Sequence, residues 1–530
     1  MELSTLGLKD RAQWEAKGYQ LPQFDRAAVT EATRENPCWI HFGAGNIFRA
    51  FMAVAQQKLL NEKISDTGII VCEGYDSEII EKVYRKYDNL TIAVSMKQNG
   101  SMDKMVVGSV AESLLLKPET SDWLRLKEIF ENPALQMATF TITEKGYQIK
   151  NASGYLPQIK EDMQVGPEQA KSYMGCLTAL CYLRYLAGKL PLALVSMDNF
   201  SHNGDRLKMA VLTIAEVWEK NNLVEEGFSG YLQDETKISF PWSMIDKITP
   251  RPDSKIKEML ERTGLEGMDI FTTSANTYIA PFVNAEETEY LVIEDNFPNG
   301  RPKLEHAGIL FADRRTVECV EQMKVCTCLN PLHTGLAIFG CLLSYTSISK
   351  EMEDPLLREL AVQIGQEGMP VVVHPGILEP KQFLHEVLYV RLPNPYIPDT
   401  PQRIATDTSQ KLSIRYGETI KAYQKTGKSL EQLRAIPLVI AGWIRYLTGV
   451  DDFGNAMELS PDPRMTELRE KISDIAEKPE MVAGSILADA SVFGQDLSKT
   501  ELAEPVIGFL KEMLTGPHAV RKTLEKYLGQ

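Results

Sequence analysis

The stretch Cys38-Trp-Ile-His-Phe-Gly43-Ala-Gly45-Asn46-Ile47-Phe48-Arg49-Ala-Phe-Met-Ala-Val-Ala places the tightest limit on how this chain can fold. A short apolar run meets a glycine turn and passes into an apolar helix. Glycines allow the tight turn, and the helix that follows turns its N-terminal N–H groups toward whatever lies above it, which suits a pyrophosphate. The segment reads as the opening βαβ unit of a dinucleotide-binding sheet. The third glycine of the common pattern is missing, since Phe48 and Arg49 stand near its place. Gly43, Gly45, Asn46, Ile47, Phe48 and Arg49 are the expected cofactor contacts. The competing reading is a strand-to-helix turn that holds no ligand.

If that reading holds, a second strand should follow and end in an acid that takes the adenosine ribose hydroxyls. Gly68-Ile-Ile-Val-Cys-Glu73-Gly-Tyr-Asp76 supplies two, Glu73 and Asp76, and either would oppose a 2′-phosphate. Two more apolar runs end in turn residues: Met137 to Gly146, and Leu190 to Gly204. In an open α/β sheet the carboxyl ends of strands carry the ligands, so Glu144, Asp198, Asn199 and Asn203 are placed to reach one crevice. Asp-Asn and Asn-Gly are also strong turn formers, which is the plainer account of three of them. Residues 1–37 read as short helices and loops, and 205–221 as an amphipathic helix.

A second stretch carries chemistry. Glu321-Gln-Met-Lys324-Val-Cys-Thr-Cys-Leu-Asn330-Pro331-Leu-His333 sets an amine, an amide and an imidazole within ten residues, ahead of the uncharged run Leu336–Leu343. Asn330 reads as the N-cap of a buried helix and Pro331 as its first residue. Asn330 and His333 would then lie at the positive end of that helix, where a developing negative charge is stabilised. Lys324 would supply or remove a proton. Such a set suits hydride exchange between a carbonyl and an alcohol. The plain alternative is a capping Asn, a first-turn His and a surface Lys.

The 530 residues suffice for two or three domains. A net charge of −15 and no basic run argue against nucleic acid as a partner. No apolar run approaches 20 residues, so no membrane span is expected. The start of the chain lacks the pattern of a signal peptide. Eight scattered cysteines fit reduced thiols in a cytoplasm. Cys326-x-Cys328 is not a usual metal-ligand spacing, and no metal is expected. From about residue 316 helical patterns dominate, with loops near 369–380 and 391–401. Arg403 and Lys411, eight residues apart, would not share a face of one continuous helix; if both reach a site, a bend or helix end lies between them.

Taken together, GAGNIFR, TITEKGY, MDNFSHNG, SMIDKITP, VIEDNFPNGRP, the EQMK…NPLH block and RIATDTSQK resemble the polyol-specific long-chain dehydrogenases, the mannitol dehydrogenase family, over roughly residues 36–500. The resemblance implies an α/β fold: a Rossmann-type domain over 1–315 and a mostly α-helical substrate domain over 316–530, with no metal. It implies Lys324 as general acid/base, Asn330 and Asn199 as the oxyanion hole, and His333 orienting the reacting oxygen. Glu321 would help the lysine exchange its proton, and Arg403 and Lys411 would line the polyol end, where their charges could pair a substrate carboxylate. Two departures bear on the substrate. Asn330 lies six residues after Lys324, one more than is usual, so a bulge or loop must restore the geometry. In the same block Asn-Pro-Leu-His replaces the usual Asn-Gly-Ser-His, and, as the second departure, the signature reads Ile245-Asp246-Lys247 where Val-Asp-Arg is more usual. The implied reaction is NAD-dependent hydride transfer on a polyol or hexuronate, with D-mannonate/D-fructuronate as the expected pair. Mannitol/fructose and tagaturonate/altronate are the alternatives, and a non-catalytic nucleotide-binding protein is the rival class.

Overall fold

The computed structural model describes residues 1–529. The chain divides into two compact units, Met1–Val317 and Glu318–Gln530.

At the centre of the first unit lies a six-stranded sheet: β1 (Trp39–Phe42), β2 (Ile69–Glu73), β3 (Val110–Leu115), β4 (Met137–Phe140), β5 (Leu192–Ser196) and β6 (Ile238–Ser239). The spatial order is β6-β5-β4-β1-β2-β3, and every pairing is parallel. This is the doubly wound dinucleotide-binding order, whose direction reverses between β1 and β4. Parallel strands covered on both sides read as continuous apolar runs, which is why the strands look uninterrupted in sequence. Alternate residues feed two cores. Ile40 and Phe42 pack on one face with Phe130, Leu177 and Trp218, while Trp39 and Val71 pack on the other with Phe51 and Leu59. Fully burying each of these large side chains contributes about 1.5–3 kcal/mol.

Four smaller sheets complete this unit. One, in the order Tyr19–Gln20, Met102–Val107, Thr91–Met96, Phe282–Glu286, has its own apolar core. The N-terminal segment is thus more than short helices and loops: Tyr19–Gln20 pairs in parallel with Lys104 and Met105. The amphipathic helix read over 205–221 runs from Asn203 to Lys220.

The second unit is helical. Its middle is α1 (Arg314–Met323, which begins in the first unit), a π-helical turn (Lys324–Cys328) and α2 (Asn330–Leu342). Together they form a 29-residue helical run, Arg314–Leu342, apolar and long enough to cross a membrane by composition. Its apolar window is 78% buried inside the protein, as expected of a core helix. Against α2 packs the short helix Ile348–Glu353, whose Glu351 is fully buried with both carboxyl oxygens unpartnered. Glu351 fits only because residue 340 is glycine: a Cβ there would overlap the carboxyl oxygen. Helix Ala435–Tyr446 is buried along its whole length.

Candidate active site

In the first unit the carboxyl ends of β1, β2, β4 and β5 converge. Gly43 donates to the Cys72 carbonyl at 2.8 Å and has φ +108°, a backbone state that favours glycine. A Cβ there would overlap the Thr141 carbonyl beyond β4. Gly45 differs: nothing lies within 4 Å of where its Cβ would be, so the turn opens onto clear space. Gly45, Asn46 and Ile47 form the half-buried rim.

The side chains of the next two residues point inward. Phe48 is fully buried and stacks on His41, ring centroids 4.3 Å apart. Arg49, 1% exposed, donates to Asn46 Oδ1 (2.8 Å), Thr91 Oγ1 (3.1 Å) and the Ala280 carbonyl (2.8 Å). Any ligand contact from Phe48 or Arg49 is therefore limited to backbone. A π-helical turn over Phe48–Met52 sends both into the core where the third glycine would otherwise stand.

Glu73 and Asp76, equivalent in sequence, are distinct in structure. Glu73 reaches across to the glycine turn, accepting from Ala44 N–H at 2.8 Å with Oε2, and from Tyr75 N–H (2.8 Å) and Asp76 N–H (3.3 Å) with Oε1. Burial raises its pKa, and the three amides oppose that rise. Oε2 retains room for a second donor. Asp76 instead caps Glu78 N–H at 3.3 Å and accepts from Thr273 Oγ1 at 2.6 Å. Glu144 is exposed, 3.6 Å from Arg206. Asp198 ties β5 to the loop after β4: it accepts from Ile142 N–H (2.9 Å), Thr143 N–H (3.0 Å) and the Tyr147 hydroxyl (2.7 Å). Asn199 follows it and is exposed. Asn203 is a buried clamp, donating to the carbonyls of Asp198 (3.0 Å) and Ser243 (2.9 Å).

In the second unit Lys324 opens the π-turn and is 3% exposed. Leu329 N–H donates to the Lys324 carbonyl at 3.1 Å, five residues back, so one surplus residue is absorbed inside the helix. Glu321 lies half-buried one α-helical turn earlier. Asn330 is not the N-cap read from sequence. The half-turn falls on Leu329 (φ −129°, ψ −61°), Asn330 is the first helical residue, and no side chain caps the start. With one residue taken up by the π-turn, the helix begins one position earlier. The Asn330 amide and the His333 ring make no hydrogen bond among the described residues.

His333 stands in a charged neighbourhood. Burial lowers its pKa to about 4; Asp399 acts against that, while Arg391, Arg415 and Arg403 reinforce it. Arg403 is ion-paired with Asp399, four residues before it, rather than with Asp407, four after. A helix end does separate Arg403 from Lys411: Pro401–Ile404 stops, Asp407 takes φ +54°, and Thr408–Leu412 begins. Lys411 then donates back to the carbonyls of Ile404 (3.4 Å) and Thr406. Arg415, unforeseen in sequence, donates through Nη1 to Thr334 Oγ1 at 2.5 Å. It lies four residues after Lys411, the spacing that puts two side chains on one helix face, and that spacing was its available signal. Burial holds the thiols of Cys326 and Cys328 up at about 12, so both stay protonated at neutral pH.

Two family models match the chain: the mannitol dehydrogenase Rossmann domain over residues 38–306 and the mannitol dehydrogenase C-terminal domain over 316–514. A D-mannonate oxidoreductase of Thermotoga maritima is 54% identical over 538 residues, spanning 100% of this chain and 99% of the relative. A D-mannonate oxidoreductase of Escherichia coli is 30% identical over 469 residues, 86% of this chain and 89% of its own. Among solved structures, the Pseudomonas fluorescens mannitol 2-dehydrogenase ternary complex with NAD and D-mannitol superposes with a TM-score of 0.70 at 25% identity, covering 100% of both chains.

Proposed function

Because the chain belongs to the mannitol dehydrogenase family, we propose that it is an NAD-dependent oxidoreductase interconverting a secondary alcohol and a ketone on a hexuronate, D-mannonate and D-fructuronate. The observation that carries this substrate is the 54% identity, end to end, with a D-mannonate oxidoreductase. The gathering of arginines near His333, suited to an anion, agrees with it.

The first unit is assigned to the cofactor and the second to the substrate. Gly43, the open space above Gly45 and the Glu73 carboxylate beside Ala44 fit a dinucleotide, with Glu73 rather than Asp76 toward the ribose. When bound, NAD supplies or accepts the hydride. The chain's residues handle the oxygen and its proton. Lys324 as ammonium gives its proton to the forming alkoxide in reduction, and as free amine removes it in oxidation. Asn330 donates to the oxygen as charge develops, and His333, neutral at pH 7, orients it. Glu321 assists proton exchange at the lysine, and Arg403 and Lys411 line the hydroxyl chain. Eight unpaired cysteines suit a reducing cytoplasm as the place of action.

The test is NADH oxidation with D-fructuronate, D-tagaturonate and D-fructose, repeated with NADPH. The highest kcat/KM is expected for fructuronate with NADH. An outright preference for fructose would overturn the substrate, and a preference for NADPH would remove Glu73 from the ribose.

A further inference from the structure

Four cations are gathered in the second unit, and they are not equally committed. Arg403 is ion-paired with Asp399. Lys411 is tied to two backbone carbonyls. Arg391 is engaged within the fold as well. Arg415 stands apart: its one hydrogen bond goes to a neutral hydroxyl, Thr334 Oγ1, and no carboxylate among the described residues pairs with it. The side chain is half-buried, and Nε and Nη2, which bond to nothing, are not among the sealed polar atoms. A guanidinium drawn partly out of water without an anion is an expensive arrangement, because buried charges are ordinarily paired.

Its position is set by the helix it grips. Thr334 Oγ1 accepts from Arg415 and donates to the Asn330 carbonyl at 3.0 Å. The neighbouring Tyr416 hydroxyl donates to the Pro331 carbonyl at 2.6 Å. Arg415 is thus fixed to the helical turn that carries Asn330 and His333, and it lies within electrostatic range of both His333 and Lys411.

We propose that Arg415, braced by Thr334, is the seat of the substrate's carboxylate and so the residue that separates keto-acids from neutral ketoses. The inference rests on the hexuronate reading above and names the group that recognises the acid end. The planar fork left open on Arg415 matches a carboxylate in two-point contact. Arg403, already neutralised by Asp399, is left to contact hydroxyls.

The test compares kcat/KM for D-fructuronate and D-fructose with NADH in the wild type, Arg415→Met, Arg415→Lys and Thr334→Val, with melting temperatures alongside. Arg415→Met should lower the fructuronate value about 10- to 150-fold, the loss of one charge-assisted contact, while fructose changes less than about threefold. Arg415→Lys should recover part of the loss, since it restores charge but not the fork. Thr334→Val keeps the arginine and should give a smaller loss, about three- to tenfold, again confined to the acid; it carries the test should Arg415→Met fold poorly. Equal losses on both substrates in a wild-type background that prefers fructuronate would overturn the carboxylate seat alone and leave Arg415 a brace between helices. A wild type that prefers fructose would overturn the hexuronate reading and the seat together.

Discussion

Lys324 is 3% exposed, a burial that lysines seldom reach without a partner, and it is engaged within the fold. Lys324→Ala should lower kcat by at least about a hundredfold, the range expected for loss of a general acid/base, with the Kd for NADH nearly unchanged. Near-normal turnover would remove the lysine from that role. Glu351 poses a different single-residue question. Burial without a hydrogen-bond partner raises its pKa well above 4.5. The folded state then keeps a proton that the unfolded chain loses above pH 4.5. This group's contribution is present below pH 4.5 and is lost as pH rises toward the folded pKa, at about 1.4 kcal/mol per pH unit. Glu351→Gln removes that slope. The variant should gain stability over the wild type as pH rises above 5 in urea unfolding, and a difference that stays flat with pH would show that Glu351 ionises freely.

Helix ends and irregular turns position the candidate site, and these were the least legible parts of the sequence. Asp407 takes a left-handed conformation at the break between the helix of Arg403 and that of Lys411. Asp407→Gly should leave stability within about 1 kcal/mol, whereas Asp407→Val, β-branched, should lose about 1–2 kcal/mol; equal melting temperatures for the two would deny the strain. That a break was needed could be read from eight residues not closing on a helical face. Which partner Arg403 takes could not, because Asp399 and Asp407 both lie four residues away and only the helix start at Pro401 favours the first. The parallel sheet was legible from its apolar runs. The two-residue strand Tyr19–Gln20 was not, since so short a run carries no periodicity. Asn330 was not legible either: its N-cap signal is sound locally, but a π-turn over Lys324–Cys328 comes just before it and the half-turn falls on Leu329.

Across the whole molecule the formal charge is −15, while the candidate substrate end gathers Arg391, Arg403, Lys411 and Arg415. A mostly anionic body with a small cationic cluster presents opposite fields at different distances, and an ionic atmosphere weakens them unequally. At about 10 mM salt the screening length is roughly 30 Å, so an approaching keto-acid feels the repulsion of the body. Near 0.1 M it shrinks to about 10 Å, the repulsion fades, and direct contact with the cluster persists. Toward 1 M it is about 3 Å, and the added anions compete for the cluster itself. Turnover of fructuronate at low substrate should therefore rise and then fall with sodium chloride, while fructose shows no such maximum. A steady decline for the acid from the lowest salt upward would mean that the cluster governs approach at every distance and the anionic body does not.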